Sequence, residues 1–219
     1  TGDYDFKDAD LGVFRGISGI LNSKGRFEGT LSRITAHGAA VVPEFRLTNS
    51  GNPVPLSTTF EVLVDGTNGD TILKPVYGTL GTTKFTTSGI VIKNEADTHR
   101  TILLDVSMPD GNLRDVLTLA MKGTPFMEGR ILLQTKIDIP PLSGKVREKI
   151  RLDGRFEITK GKFLRSRIQD QIDSLSRRGQ GQPQNNEIDE VLSGMAGSFQ
   201  LTDEIITFSA LSFGVAGAG

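Results

Sequence analysis

Cysteine is absent from this 219-residue chain, and so is tryptophan. Without cysteine there are no structural disulfides, thiolate nucleophiles or zinc–thiolate centres, while the compartment stays open. The 2 histidines, His37 and His99, stand apart, and neither has a second ligand at metal-binding spacing. His99 has Glu95 and Asp97 nearby, but in a polar stretch where a solvated imidazole is expected. An excess of one charge sign is also missing. The formal net charge is −1 and the pI about 6.1, which excludes the clustered basic surface that nucleic acid requires. No apolar run approaches the ~18 residues of a membrane-spanning helix, and no secretory signal opens the chain.

The motifs that carry chemistry are lacking too. Gly16-Ile17-Ser18-Gly19 is one residue short of a hydrolase elbow. The glycine pairs Gly66/Gly69 and Gly78/Gly81 have no following Lys-Ser/Thr to make a phosphate loop. Asp3, Asp5, Asp8 and Asp10 lack the closing Glu of a calcium loop. Glu187, Asp189 and Glu190 fall where a helix N-terminus favours negative charge. The expectation is a protein that is not an enzyme and has no metal or cofactor.

What is present is 26 glycines with abundant Thr, Val and Ile, the composition of a β-rich chain with many turns. Residues 1–24 read as a flexible segment or a weakly paired first strand. Strand patterns follow at Phe27–Leu31, Ala40–Leu47, Thr58–Asp65, Thr71–Leu80, Lys84–Ile92 and Thr101–Met108, with turn clusters between them. Consecutive strands are expected to be neighbours, as in a meander. Asn112 can cap a short helix whose apolar side is Leu113, Val116, Leu117 and Ala120, stopped by Gly123-Thr124-Pro125.

The clearest alternation comes next. In Gly129–Ile139, the residues Ile131, Leu133, Ile137 and Ile139 share one face; at ~3.3 Å per residue the strand runs roughly 36 Å. In Glu148–Ile158, Ile150, Leu152, Phe156 and Ile158 form a dry face with Gly154 between them, and Lys149, Arg151, Asp153, Arg155 and Glu157 form a charged one. A helix is expected near 166–178, capped by Ser166 and Gln169, with Ile168, Ile172 and Leu175 on one stripe and Gly179 closing it. A polar loop, a short helix capped by Asn186 and a strand pattern through Phe199, Leu201, Ile205, Ile206 and Phe208 complete the chain. The echo Gly25-Arg26-Phe27-Glu28, Gly154-Arg155-Phe156-Glu157 and Gly197-Ser198-Phe199-Gln200 is too short to establish duplication.

Several segments together resemble the C-terminal region of bacterial AsmA-family envelope proteins, the group related to TamB and YhdP. They are Pro125–Gly129, Ile150–Ile158, Asp173–Gly181, Gly194–Phe199 and Ile206–Phe213. The likeness is strongest over 124–218 and looser over 25–115, where it rests on Val64–Thr71 and strand order. It implies a mainly β domain over 25–219: a long antiparallel curved sheet, forming a groove or an open barrel-like shape, with two or three short helices. It also implies a fragment of a longer periplasmic protein, held in the inner membrane by an N-terminal helix outside this sequence. Ala216 departs from the Pro-Gly-Ala ending expected after the last strand.

The function implied is non-enzymatic: an apolar β-groove implicated in phospholipid transport between inner and outer membranes and in outer-membrane biogenesis. The candidate acyl-chain contacts are Ile131, Leu133, Ile137, Ile139, Ile150, Leu152, Phe156 and Ile158, with the 168–175 helix capping that surface or packing on it. The implied partners are a phospholipid or other acyl-chain lipid and the inner membrane, with no nucleic acid. A cut edge strand would leave the fragment free to dimerise. The alternative from the residues themselves is a structural or protein-interaction β-sandwich with a closed core and no lipid.

Overall fold

The structure, a computed structural model, describes residues 1–13, 16–48, 51–93, 97, 99–164 and 193–215. They form one antiparallel 12-stranded sheet that is not closed into a barrel. The strands are β1 (Gly2–Asp10), β2 (Ile17–Ser18), β3 (Ile20–Thr30), β4 (Arg33–Leu47), β5 (Val54–Val64) and β6 (Thr71–Leu80). They continue with β7 (Thr83–Ile92), β8 (Thr101–Asn112), β9 (Met127–Ile139), β10 (Arg151–Phe163), β11 (Ser193–Thr202) and β12 (Ile205–Val215). Helices α1 (Leu113–Ala120) and α2 (Val146–Lys149) and a 3-10 turn at Leu11–Val13 interrupt them. From β4 to β11 each strand pairs with the one before and the one after it; β3 lies between β1 and β4, and the short β2 pairs the end of β4. The expected meander is therefore the observed topology.

Tight turns produce this order. Leu31-Ser32 joins β3 to β4, and Gly81-Thr82 joins β6 to β7. Asp203-Glu204 joins β11 to β12 with positive φ at both residues (52° and 62°). That is the turn whose twist matches the flanking strands, built here without glycine. In the β5–β6 turn, the Asp65 carboxylate accepts from the Thr67 backbone N–H at 2.8 Å. Arg100 then ties this turn to the β7–β8 connection through Asp70 at 3.1 Å.

The N-terminal segment is better ordered than its composition suggests. Gly2 to Asp10 is paired with β3 from Phe27 back to Ile20, with one irregularity between Phe6 and Ala9. β3 itself starts at Ile20 rather than Phe27. The expected strand Glu148–Ile158 is corrected at its start, because Val146–Lys149 forms a helical turn. Glu148 accepts from the Lys145 backbone N–H at 3.2 Å, which competes successfully with strand pairing there. The Ile150 N–H closes the turn on the Val146 carbonyl at 2.8 Å, so the strand begins at Arg151. The helices expected near 166–178 and after Asn186, the polar loop between them and the cluster Glu187, Asp189 and Glu190 lie outside the described residues, as does Ala216.

Helix α1 forms as the sequence predicts. The Asn112 side chain accepts from the Arg114 N–H at 3.0 Å. Asp115 does not bond back into the helix. Its carboxylate accepts from the Thr82 N–H (2.8 Å), the Thr82 hydroxyl (2.7 Å) and the Thr83 hydroxyl (2.9 Å), pinning α1 to the β6–β7 turn. At the other end the Asn52 N–H donates to the Thr118 carbonyl at 2.9 Å, which fastens the helix to the β4–β5 connection. Leu113 packs into the main core cluster with Met127, Ile131 and Ile158, flanked by Val116, Leu117, Leu133, Phe156, Phe163 and Met195. Among the described residues α1 is the principal cover on that side of the sheet.

Truncating Leu113, which is 2% exposed, removes the centre of this contact. Leu113→Ala should lower the unfolding free energy by about 2–5 kcal/mol, and Asp115→Ala by about 1–3 kcal/mol because the Thr82 and Thr83 donors lose their acceptor. Urea unfolding followed by circular dichroism, with the slope unchanged, is the check.

Candidate functional site

Cross-strand register decides which side chains share a face, since directly opposed residues point the same way. Gly89, Leu104, Ile137, Leu152, Leu201 and Ile206 are aligned in one row from β7 to β12. A second row runs Thr87, Val106, Thr135, Gly154, Phe199 and Phe208 on the same side. Ile131, Ile158, Met195 and Phe213 make a third. Towards the N-terminal half this side continues through Val62 and Leu73 on β5 and β6 and Ala36 and Phe27 on β4 and β3. One face of the sheet is therefore predominantly apolar, with Ser23, Thr58, Thr83, Thr87 and Thr135 interspersed among its aliphatic and aromatic side chains.

Four glycines on this face sit opposite aromatic rings. Gly2 opposes Phe27, Gly38 opposes Phe60, Gly78 opposes Phe85 and Gly154 opposes Phe199. A Cβ on Gly78 would lie 2.2 Å from Cζ of Phe85 and 2.4 Å from its Cε1, so the far end of the ring covers the glycine. The same overlap recurs at Gly2, where the nearest atom would be Cζ of Phe27 at 2.7 Å. A ring over a glycine shields its backbone from water and lies low on the sheet, a known way to hold glycine in a strand. Phe156 adds ring contacts along the face, 6.4 Å from Phe199 and edge-on to Phe208 at 6.1 Å between centroids.

The sequence-predicted contacts fall on this face in opposed pairs: Ile131 with Ile158, Leu133 with Phe156, and Ile137 with Leu152. Ile139 is opposite Ile102 on β8. Their surroundings differ. Ile131 and Ile158 are each 5% exposed and belong to the cluster beneath α1. Leu133 and Phe156 pack against that cluster, while Ile137, Ile139 and Leu152 are half-buried on the part of the face away from it. Ile150 stands outside the strand, at the end of α2. Phe208 and Phe213 on β12, about half exposed at 48% and 54%, extend the face to its edge and were not among the predicted contacts. Their alternation was visible, but their place beside β10 needed the register.

The opposite face is polar and electrostatically balanced over the middle of β8–β10, while Leu63, Ile72, Ile90 and Leu103 make an aliphatic row on that same face across β5–β8. Lys136 lies between Asp105 and Asp153 across β8, β9 and β10. The Arg155 Nε donates to Gln134 Oε1 at 2.8 Å, and the Gln200 amide donates to Asp153 at 2.9 Å. A hydrogen bond from Arg130 holds the Asp110 carboxyl below its ordinary pKa, and one from Lys74 does the same for Glu61. His37 is in the middle of β4, with its Nδ1 3.8 Å from Glu61. A depression of about 530 Å³ on this side is lined by Thr86, Ser88, Asp105, Gln134, Lys136 and Arg155. Its charges oppose one another across strands, which leaves a neutral hydrated surface. No three His, Asp or Glu side chains among the described residues come together as a metal site, and no described helix is long and apolar enough to cross a membrane.

No family model, curated protein or solved structure matches the chain.

Since the atoms nearest a Cβ on Gly78 all belong to Phe85, Gly78→Val should destabilise the sheet by about 1–3 kcal/mol through overpacking. Phe85→Leu in the same chain should recover part of that loss. A double-mutant cycle by urea unfolding reads the coupling, and strictly additive effects would contradict the ring-over-glycine contact.

Proposed function

We propose that the apolar face of this sheet is a curved, groove-like surface for acyl chains, in a non-enzymatic periplasmic protein of the AsmA type. In that reading the chain is part of an inner-membrane-anchored protein taking part in phospholipid transport between the membranes and in outer-membrane biogenesis. The observation that carries it is the combination of one sheet with one predominantly apolar side. A closed sandwich would set a second sheet against that side, and the described residues form a single sheet. Contiguous apolar surface of this kind is the usual mark of a binding site.

The contacts with α1 bear on where a chain could lie. Ile131 and Ile158 are beneath the helix and serve the fold. The acyl surface is then the remainder: Leu133, Phe156, Ile137, Leu152 and Ile139, continued by Leu104 on one side and Leu201 and Phe208 on the other. Low-lying rings over glycines leave shallow apolar ground between taller aliphatic side chains. Nothing in this arrangement calls for a general base, a nucleophile or a metal, and the binding would be dispersion and water release alone.

Leu152 is half-buried and outside the core cluster, so a charge there should spare the fold. Leu152→Asp is expected to weaken displacement of a fluorescent fatty acid by tenfold or more, on the order of 1.4 kcal/mol, with the thermal midpoint little changed. Extracts of the unmodified protein should contain lipid by mass spectrometry. No bound lipid, together with no displacement by phospholipid or fatty acid, would sink the proposal.

A further inference from the structure

Among the described residues the sheet ends at β1 and β12, and these two edges are built differently. The β1 edge carries exposed Asp3, Asp5, Lys7, Asp8 and Asp10, and Asp8 at φ 56° interrupts its regular pairing. Charges and a bulge are the usual protection of an edge strand against pairing with another chain. β12 has no charged residue between Ile205 and Val215, and Ile205, Ile206, Phe208, Leu211 and Phe213 are 48–68% exposed along it. An uncharged edge with that much exposed apolar surface is a template for another strand.

We propose that β12 is the joint between two copies of this chain, pairing antiparallel with its own counterpart about a two-fold axis through Thr207. Charge selects the partner. Two β1 edges would bring acidic residues against each other, and β12 against β1 would set an uncharged strand on an acidic one and leave further edges open for filament growth. Two β12 strands meet without charge and close at a dimer.

The register follows from the irregularities at either end of the strand. Asp203 and Glu204 turn away with positive φ, and Ala210 at φ 49° breaks the pairing with β11 between Ser198 and Ala196. Between them Ile205–Ser209 is regular and is symmetric about Thr207. A two-fold axis normal to the sheet keeps each face on its own side. Centring on Thr207 therefore places Ile206 opposite Phe208 of the other copy, and Phe208 opposite its Ile206, on the apolar side. The apolar faces of the two copies become one uninterrupted surface, with the bond between them made of backbone hydrogen bonds and these aliphatic–aromatic pairs.

The absence of cysteine from the chain makes the register directly readable. At the axis the two Thr207 Cα atoms would be ~4.5–5.5 Å apart, inside the range a disulfide spans. Purified Thr207→Cys protein should oxidise to a covalent dimer, and Asp5→Cys, on the β1 edge, should not. Light scattering of the unmodified 219-residue chain at micromolar concentration should give the dimer mass, with Ile206→Lys weakening association about tenfold or more while its circular dichroism spectrum is unchanged. A monomer at every concentration overturns the proposal. So does cross-linking through Asp5→Cys in place of Thr207→Cys, or a dimer indifferent to Ile206→Lys.

Discussion

Because side chains alternate along a strand, a slip of one residue between any two neighbours would turn an apolar strand face over and set its hydrophobic side chains in water. Among the described residues no second sheet lies against this one to correct such a slip, so the cross-strand pairs themselves hold much of the register. They do this in kind. Aliphatic residues oppose aliphatic residues on one side, as with Ile137 and Leu152, and opposite charges meet on the other, as with Lys136 and Asp153. Rings lie over glycines where a Cβ would not fit. A shifted register would replace each of these with an uncovered glycine, a ring against a side chain, or like charges together.

Helix α1 supplies what the sheet cannot provide for itself, a compact buried contact. Its short length is offset by polar ties at both ends, Asp115 to the β6–β7 turn and the Thr118 carbonyl to Asn52. These ties hold the end of one hairpin to the connection of another across the sheet. The main buried cluster lies under α1, and among the described residues Ile137, Ile139 and Leu152 farther along the strands are half-buried.

Much of the candidate surface was legible in the primary structure. The period-two runs through Ile131–Ile139 and Leu152–Ile158, the Asn112 cap and the order of the hairpins all follow from local rules of alternation and turn chemistry, and the fold contains each of them. Local rules failed where two signals overlapped. Glu148 and Lys149 read as the start of the strand through Ile158, yet Glu148 satisfies the Lys145 N–H and makes a helical turn instead. The N-terminal residues look too acidic and glycine-rich for firm pairing, but β3 and Phe27 supply a partner for Gly2 that a single-strand reading does not contain.

The sequence by itself determined which residues are apolar at every second position, where the turns fall, and that no catalytic or metal-binding motif is present, because these depend only on neighbours along the chain. Only the tertiary structure decided that the strands share one sheet and that their dry sides coincide. It also separated Ile131 and Ile158, covered by α1, from Ile137 and Leu152, which are not. Periodicity sets a side chain's face relative to its own strand. Whether that face meets a helix, a ring from the next strand or open surroundings depends on residues distant in sequence, and the register brings them together.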